Sequence, residues 1–188
     1  MLNKKLIIIF IISLLYQSSL FSKSASFDEI NSKNLSNYFS GIVAFENKDN
    51  SEALSYFNSS KILINQHDPY LKKFVMSLVL EDKVAQAISF IKLNNKKSNS
   101  NFFEAYILLA LDNLKKKNIN KTLEILANIP EILKEDRFNF IILNSLKQYV
   151  QVFENKKIQQ GNPKFGNLSL ISETFQRCYL GDSKTDSY

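Results

Sequence analysis

The feature of this 188-residue chain that most restricts its fold is a pattern that returns after 34 or 35 residues. Each copy combines an apolar stretch, a short polar turn, and a second stretch whose apolar residues lie three or four positions apart, as in an amphipathic helix. The copies occupy residues 41–57, 75–91 and 110–126. A period of this length indicates stacked pairs of helices. The equivalent positions are Gly41, Val75 and Ala110; Ala53, Ala87 and Thr122; Phe57, Ile91 and Leu126.

Turn signals between the apolar stretches agree with this interpretation. Polar turns are predicted at residues 47–50, 81–83 and 117–120, one inside each copy. With 4 Gly and 3 Pro, the chain lacks the frequent turn residues of an all-β protein, so long helices are favoured. We expect Asp68 to cap the first helix of the second copy, with Pro69 at its first position, and Ser100-Asn101 to cap the third.

These residues resemble the tetratricopeptide repeat family, whose repeat of about 34 residues has a small residue in its first helix and an alanine and an aromatic residue in its second. Gly41, Ala53 and Phe57 match these positions in the first copy, whereas Thr122 and Leu126 depart from them in the third. Exported bacterial members of the family have similarly degenerate repeats. The resemblance implies an all-α fold, an α-solenoid of antiparallel helix pairs in a right-handed superhelix. The competing architecture is another α-solenoid of helix pairs.

The resemblance also divides the body of the chain. It covers residues 34–135 as three helix pairs, at about 34–67, 68–101 and 102–135. Residues 136–181 are expected to form further helices, over 137–154 and 168–180, as a degenerate repeat or a cap. Residues 182–188 are a polar tail without a closing amphipathic helix. The chain is therefore either a piece of a longer array or an array that residues 168–180 close.

The first 24 residues have the pattern of a secretory signal peptide. A lysine pair at Lys4 and Lys5 precedes an almost wholly apolar run over residues 6–16, and small residues follow at Ser22 and Ser24. We expect cleavage near Ser24, a short linker over residues 25–33, and secretion across the inner membrane into the periplasm. The alternative is an uncleaved N-terminal membrane anchor, although a spanning helix needs about 20 apolar residues.

In the family, the first helices of successive pairs line the concave wall, and the resemblance implies that partners bind there. We predict an apolar groove that receives a helix or extended segment of a protein or peptide. The alternative is that the fold simply buries these side chains. Only Lys72 could bind a carboxylate, so a C-terminal carboxylate is not the expected ligand. The predicted positions are Leu35, Tyr38, Ile42 and Phe45 in the first pair, Pro69, Lys72, Met76 and Val79 in the second, and Glu104, Ile107, Leu111 and Leu114 in the third.

Residues suited to catalysis or metal binding are sparse, and we expect no enzyme activity, no cofactor and no metal site. The one histidine, His67, lies in a predicted turn and is expected to be solvated, and the one cysteine, Cys178, excludes an internal disulfide. The formal charge is +6, but three lysines lie in the predicted leader, which leaves 21 of the 24 basic residues against 18 acidic ones. This near balance, together with export, argues against a nucleic-acid partner.

Three functions are compatible with these features. The first is an exported scaffold or adaptor that holds a protein or peptide partner in the groove. The second is a structural subunit of a cell-envelope complex that docks through an edge or an end of the array. The third is a membrane-tethered accessory chaperone, in which the N-terminal segment is retained. The sequence identifies neither the partner nor the oligomeric state, because one fold hosts many functions.

Overall fold

The computed structural model describes residues 31–65, 67–94, 101–160 and 165–183. The predicted signal peptide, most of the linker and the tail beyond residue 183 lie outside these ranges. The described residues form nine α-helices, one 3₁₀ helix and no strand, so the predicted all-α class is confirmed for this part of the chain. None of these helices is both long enough and apolar enough to cross a bilayer. The α-helices are α1 Ser32–Glu46, α2 Asn50–Ser59, α3 Asp68–Leu80, α4 Val84–Asn94, α5 Phe103–Lys115, α6 Ile119–Ala127, α7 Glu131–Lys134, α8 Arg137–Asn155 and α9 Asn167–Leu180, and the 3₁₀ helix is Lys61–Asn65.

Each helix packs mainly against its neighbours along the chain. α1 packs on α2, α3 on α4 and α5 on α6, and a turn of three residues joins each pair. α2 also contacts α3, α4 contacts α5, and α6 contacts α8, so the pairs form a continuous series. One apolar cluster, around Phe57 and Phe74, holds the first two pairs together. A second cluster, around Leu126 and Leu143, joins the third pair to α8.

The first helix of each pair ends in the same hydrogen-bonded turn. Lys48, Asp82 and Lys117 adopt the left-handed conformation, with φ of 65°, 56° and 60°. In each turn the next backbone N–H donates to the carbonyl oxygen five positions back, at 2.9 Å in the first pair, 2.8 Å in the second and 3.0 Å in the third. This is a Schellman turn, which satisfies the last carbonyl groups of a helix. The turns are 34 and 35 residues apart, the spacing of the sequence pattern.

Small side chains lie where the two helices of a pair cross. A Cβ atom added to Gly41 of α1 would stand 2.8 Å from the ring of Phe57 in α2, so a larger residue would displace the ring. In the second helix of the later pairs, Ala87 and Thr122 are completely buried. The Thr122 hydroxyl is accommodated because it donates to the carbonyl oxygen of Asn118 at 2.9 Å.

The structure differs from the predicted helix starts at two places. α3 has His67 as its N-cap, so Asp68 is the first helical residue and the prediction of Asp68 as the cap is wrong. α5 is preceded by Phe102, which has no side-chain oxygen to accept a hydrogen bond, and not by Asn101. Side-chain caps are present at other helix starts: Asp49 accepts from the N–H of Glu52 at 3.1 Å before α2, and Asn118 accepts from the N–H of Lys121 at 3.2 Å before α6. Such a cap stabilises a helix start by about 1 kcal/mol.

The last two helices meet through polar side chains. α9 turns Ser172 and Gln176 toward α8, and both are buried. The Ser172 hydroxyl donates to Oε1 of Gln148 at 2.9 Å, and the backbone N–H of Gln159 donates to Oε1 of Gln176 at 2.7 Å. The apolar residues of α9 lie on its solvent side instead, with Phe175 63% exposed. They are Leu168, Leu170, Ile171, Phe175 and Tyr179.

Candidate functional site

A cleft lies between the first helices of the later pairs. It is bounded by residues of α3, α5 and α8. Its volume of about 230 Å³ is below the roughly 300–1,000 Å³ of pockets that enclose small ligands. The cleft is therefore better suited to a few side chains of a larger partner than to a small molecule. The lining residues are Met76, Val79, Phe103, Glu104, Ile107, Leu108, Phe138, Asn139 and Ile142.

The cleft brings together part of the predicted groove. Met76 and Val79 of α3 meet Ile107 of α5 there, and all three are partly exposed. Phe138 and Ile142 of α8 complete the cleft, and Phe138 is 69% exposed at its rim. These two residues were not among the predicted positions. The sequence held a signal for them, because residues 137–154 read as the first helix of a fourth pair.

The remaining predicted positions lie outside the cleft, apart from Glu104. Tyr38 is 6% exposed and belongs to the first apolar cluster, because α1 packs directly on α3. Leu114 packs against the second cluster. Leu35 and Leu111 are exposed, but away from the cleft. The positions outside it are Leu35, Tyr38, Ile42, Phe45, Pro69, Lys72, Leu111 and Leu114.

Two polar side chains face this mostly apolar cleft, and both present hydrogen-bond acceptors. Oε1 of Glu104 lies 2.8 Å from Nζ of Lys72, in an ion pair between α5 and α3. Oε2 of Glu104 is buried and has no hydrogen-bond partner. Asn139 donates from Nδ2 to the carbonyl oxygen of Leu133 at 3.0 Å, so its own carbonyl oxygen remains as an acceptor. Glu104 is the one charged residue among those lining the cleft.

His67, which was predicted to be a solvated turn residue, is exposed but not isolated. Its Nε2 lies 2.8 Å from Oη of Tyr38, with the two rings edge to face. Burial raises the pKa of Tyr38 above its ordinary value. Burial also raises the pKa of the neighbouring Tyr70, whose hydroxyl donates to the carbonyl oxygen of Phe57. These contacts hold the start of α3 against the first pair, which is a structural role.

Other reactive groups of the described residues are scattered. No three histidine, cysteine, aspartate or glutamate residues in the described ranges lie close enough together to hold a metal ion. Cys178 is a free, exposed thiol on α9, far along the chain from the cleft residues. The cleft itself offers apolar contact and hydrogen-bond acceptors.

Comparison with known proteins identifies no relative of this chain. No protein-family model matches it. Neither the curated proteins nor the solved structures contain a significant match.

Proposed function

We propose that this chain is an exported scaffold of the tetratricopeptide type, whose right-handed superhelix of helix pairs binds a segment of a protein or peptide partner. The binding site is the cleft between α3, α5 and α8. Export to the periplasm is proposed from the leader pattern of the first 24 residues. The repeat supports the architecture, since the same Schellman turn recurs at the spacing of the sequence pattern.

One observation supports the cleft as the binding site. Met76, Val79 and Ile107, which the resemblance to tetratricopeptide repeats assigns to a binding face, lie with Phe138 and Ile142 around one apolar cleft. Contiguous exposed apolar surface is unfavourable in water and commonly marks an interaction site. A partner that inserts apolar side chains would remove this surface from water, at about 25 cal/mol per Å² buried. Partner binding therefore accounts for a surface that the fold leaves uncovered.

Photo-crosslinking in living cells tests the proposal. A photoreactive residue replaces Phe138, and the matched control replaces Leu93, which is 79% exposed on α4 and lies outside the cleft. We expect one discrete crosslinked partner at Phe138 and none at Leu93. That crosslink should disappear when Met76→Asp is also present. Equal capture at both positions, or capture that survives Met76→Asp, would contradict the proposal.

Substitutions in the cleft should separate binding from folding. Met76→Asp and Ile107→Asp place a charge where apolar side chains of the partner would be buried, which is costly. We expect each to lower partner affinity at least about tenfold. Because both side chains are partly exposed in the free protein, the helical circular dichroism should stay unchanged. Leu93→Asp is the matched control, and loss of helicity in the cleft variants alone would assign these residues to the core.

A second candidate function is supported by the apolar residues at the two ends of the described series. Phe39 and Val43 on α1 are 57% and 60% exposed, and α9 carries its own exposed apolar residues. Surfaces of this kind suit a structural subunit of a cell-envelope complex that docks through its ends. Photoreactive residues at Val43 and Phe175 distinguish the two functions. Capture there and not at Phe138 would favour the structural subunit.

A further inference from the structure

We propose that the segment held in this cleft carries a lysine or arginine beside its apolar residues, and that this cation pairs with Glu104. The inference depends on the proposed function, because it names the chemistry of the partner at the same cleft. It goes beyond that function in assigning a charge to the partner and a specificity role to one residue.

Glu104 and Asn139 are the two polar residues that line the cleft. Oε2 of Glu104 is buried and has no hydrogen-bond partner. An unpaired buried acceptor is costly, and more so when it is charged. The Glu104 side chain as a whole is 36% exposed, so a rotation of its carboxylate would bring this oxygen to the cleft surface. A donor of the partner would satisfy it there, whereas a carboxylate of the partner would add repulsion.

Lys72 does not remove the need for a donor. Its ammonium group contacts Oε1 of Glu104 only, and the two side chains are 47% and 36% exposed. Ion pairs with this exposure contribute little stability, so a cation of the partner can share the carboxylate or displace Lys72. Glu104 also lies in the first turn of α5, where a negative side chain interacts favourably with the positive end of the helix.

The rest of the cleft explains why the cation must come with apolar residues. The other lining side chains are apolar and are contributed by three helices. A free cation would gain little from them, because charge is poorly solvated by hydrocarbon. An amphipathic helix with a leucine stripe and one lysine at its border would fill the apolar part and reach Glu104 together. Charge complementarity therefore selects a basic amphipathic segment as the occupant.

Synthetic peptides test this inference directly. The probes are 16-residue amphipathic helices of leucine, alanine and glutamine, with one variable position at the edge of the leucine stripe. That position carries lysine, norleucine or glutamate, and four registers of each are made. Fluorescence anisotropy is measured on the full chain, on Glu104→Gln, on Glu104→Lys and on Met76→Asp.

We expect the best lysine peptide to bind about tenfold more tightly than its norleucine counterpart, because its ammonium group would form a charge-assisted hydrogen bond with Glu104. Glu104→Gln should abolish this preference, and an unchanged helical circular dichroism spectrum would show that the variant is folded. Glu104→Lys should reverse the preference in favour of glutamate.

Three outcomes would contradict the inference, and each has a different meaning. If all three peptides bind equally and Met76→Asp abolishes binding, the cleft is a binding site but the role of Glu104 is wrong. A preference for the glutamate peptide would also overturn the inference, since Lys72 would then select an acidic segment. If no peptide binds at 1 mM, roughly the weakest affinity that matters here, the proposed function fails and this inference fails with it.

Discussion

At the residue scale, the contact between Gly41 and Phe57 shows how one side chain sets the distance between two helices. The ring atoms of Phe57 lie 2.8 and 2.9 Å from the position of a Cβ atom on Gly41, closer than side-chain carbons normally approach. Phe57 is completely buried and belongs to the first apolar cluster. The ring therefore cannot move aside without disturbing its neighbours, since a close-packed core transmits such a shift.

Replacement of Gly41 should therefore be costly although it lies inside a helix. We expect Gly41→Ala to lower the free energy of unfolding by about 1–3 kcal/mol, because overpacking outweighs the roughly 1 kcal/mol gain in helix propensity. In the Phe57→Leu background, which removes ring atoms, the penalty should shrink. Urea denaturation of the four proteins measures the coupling. Equal penalties in both backgrounds would show that the ring is not the obstacle.

The left-handed turn residues allow a stabilising substitution. Lys48 has φ of 65°, a conformation that costs a residue with a Cβ atom about 1–2 kcal/mol. Lys48→Gly should raise the free energy of unfolding by about 0.5–1 kcal/mol after the larger entropy of an unfolded glycine is subtracted. The adjacent Asn47, with φ of −77°, is the control, and Asn47→Gly should be destabilising. Thermal unfolding of both variants checks the opposite signs.

The positions that need a small residue could be predicted from the sequence, whereas the left-handed backbone conformation of the turn residues could not. The family resemblance places a small residue at Gly41 and an alanine at Ala87, and in the structure no Cβ atom fits at Gly41 and Ala87 is completely buried. The left-handed conformation of Lys48 and Lys117 had no sequence signal, since glycine usually marks such positions and is absent here. The hydrogen bond between His67 and Tyr38 was also unpredictable, because it joins residues 29 positions apart.

At the element scale, Asp112 links two helix pairs by charge. Its Oδ2 lies 2.7 Å from Nζ of Lys92 in α4 and 2.8 Å from Nζ of Lys116 at the end of its own helix, α5. Hydrogen bonds from Lys116 and Lys92 hold the pKa of Asp112 below its ordinary value. A carboxylate whose pKa is lowered by folding stabilises the fold above its unfolded pKa, near 4, and the stabilisation is lost as the pH falls through the folded value.

This linkage predicts an effect of Asp112→Asn that depends on pH. The variant should be less stable than the wild-type protein at pH 7, and the difference should disappear as the pH falls below the lowered pKa of the wild-type carboxylate. Urea denaturation between pH 2.5 and pH 7 measures it, a range that spans the unfolded pKa of roughly 4. Glu124→Gln is the control, because Glu124 pairs only with Lys121 of its own helix and is 55% exposed. A difference that does not change with pH would rule out the charge as its source.

The ranges of the helices were predicted from the sequence more accurately than the residues that cap their starts. Apolar spacing indicated the helices, and α8 and α9 lie within one residue of the predicted ranges. The start of α3 differs because His67, held by Tyr38, takes the N-cap position that was assigned to Asp68. A tertiary contact thus decides between two adjacent residues, and local sequence carries no information about it.

At the scale of the whole molecule, the seam between α8 and α9 buries polar side chains of α9, beside one edge-to-face contact between the rings of Phe153 and Tyr179. Gln148 is its centre: it accepts from Ser172 and donates from Nε2 to the carbonyl oxygens of Gln159 and Gln160, both at 2.9 Å. Hydrogen bonds contribute less net stability than buried apolar area of similar extent, because water competes for the same groups. α9 should therefore open more readily than the first two pairs.

Hydrogen exchange measures this difference. Amides of α9 should exchange well before those of α3 and α4, whose core residues are completely buried. Gln148→Ala should accelerate exchange in α9 about tenfold and leave α3 and α4 unchanged. Gln151→Ala, on the exposed side of α8, is the matched control. If α9 and α3 exchange together, the molecule opens as one cooperative unit and the polar seam is not a weak point.

The candidate site was predictable only in part, for a geometric reason. The resemblance to tetratricopeptide repeats implied one binding face of the first helices, and Met76, Val79 and Ile107 on that face do line the cleft. The spacing of residues gives the direction of a side chain from its helix, but not the distance between helices. α1 packs on α3 and Tyr38 is buried, whereas a cleft remains between α3, α5 and α8. Which residues line the cleft therefore depends on how the helices pack, and the spacing of apolar residues does not specify this packing.

Because the same Schellman turn recurs along the chain, the backbone can in principle be rejoined from one turn to the equivalent position of the next. Lys48 and Asp82 hold the same place in the same turn, so excision of residues 49–82 would join Lys48 to Lys83 without changing the local backbone. The N–H of Lys83, which now donates to Leu78, would donate to Ala44 instead. α1 would then be followed by α4, with Ile91 in the place of Phe57 opposite Gly41. Residues 49–82 thus span one period between equivalent turn positions, and an unequal crossover in the gene at such turns would remove or add 34 residues without interrupting a helix.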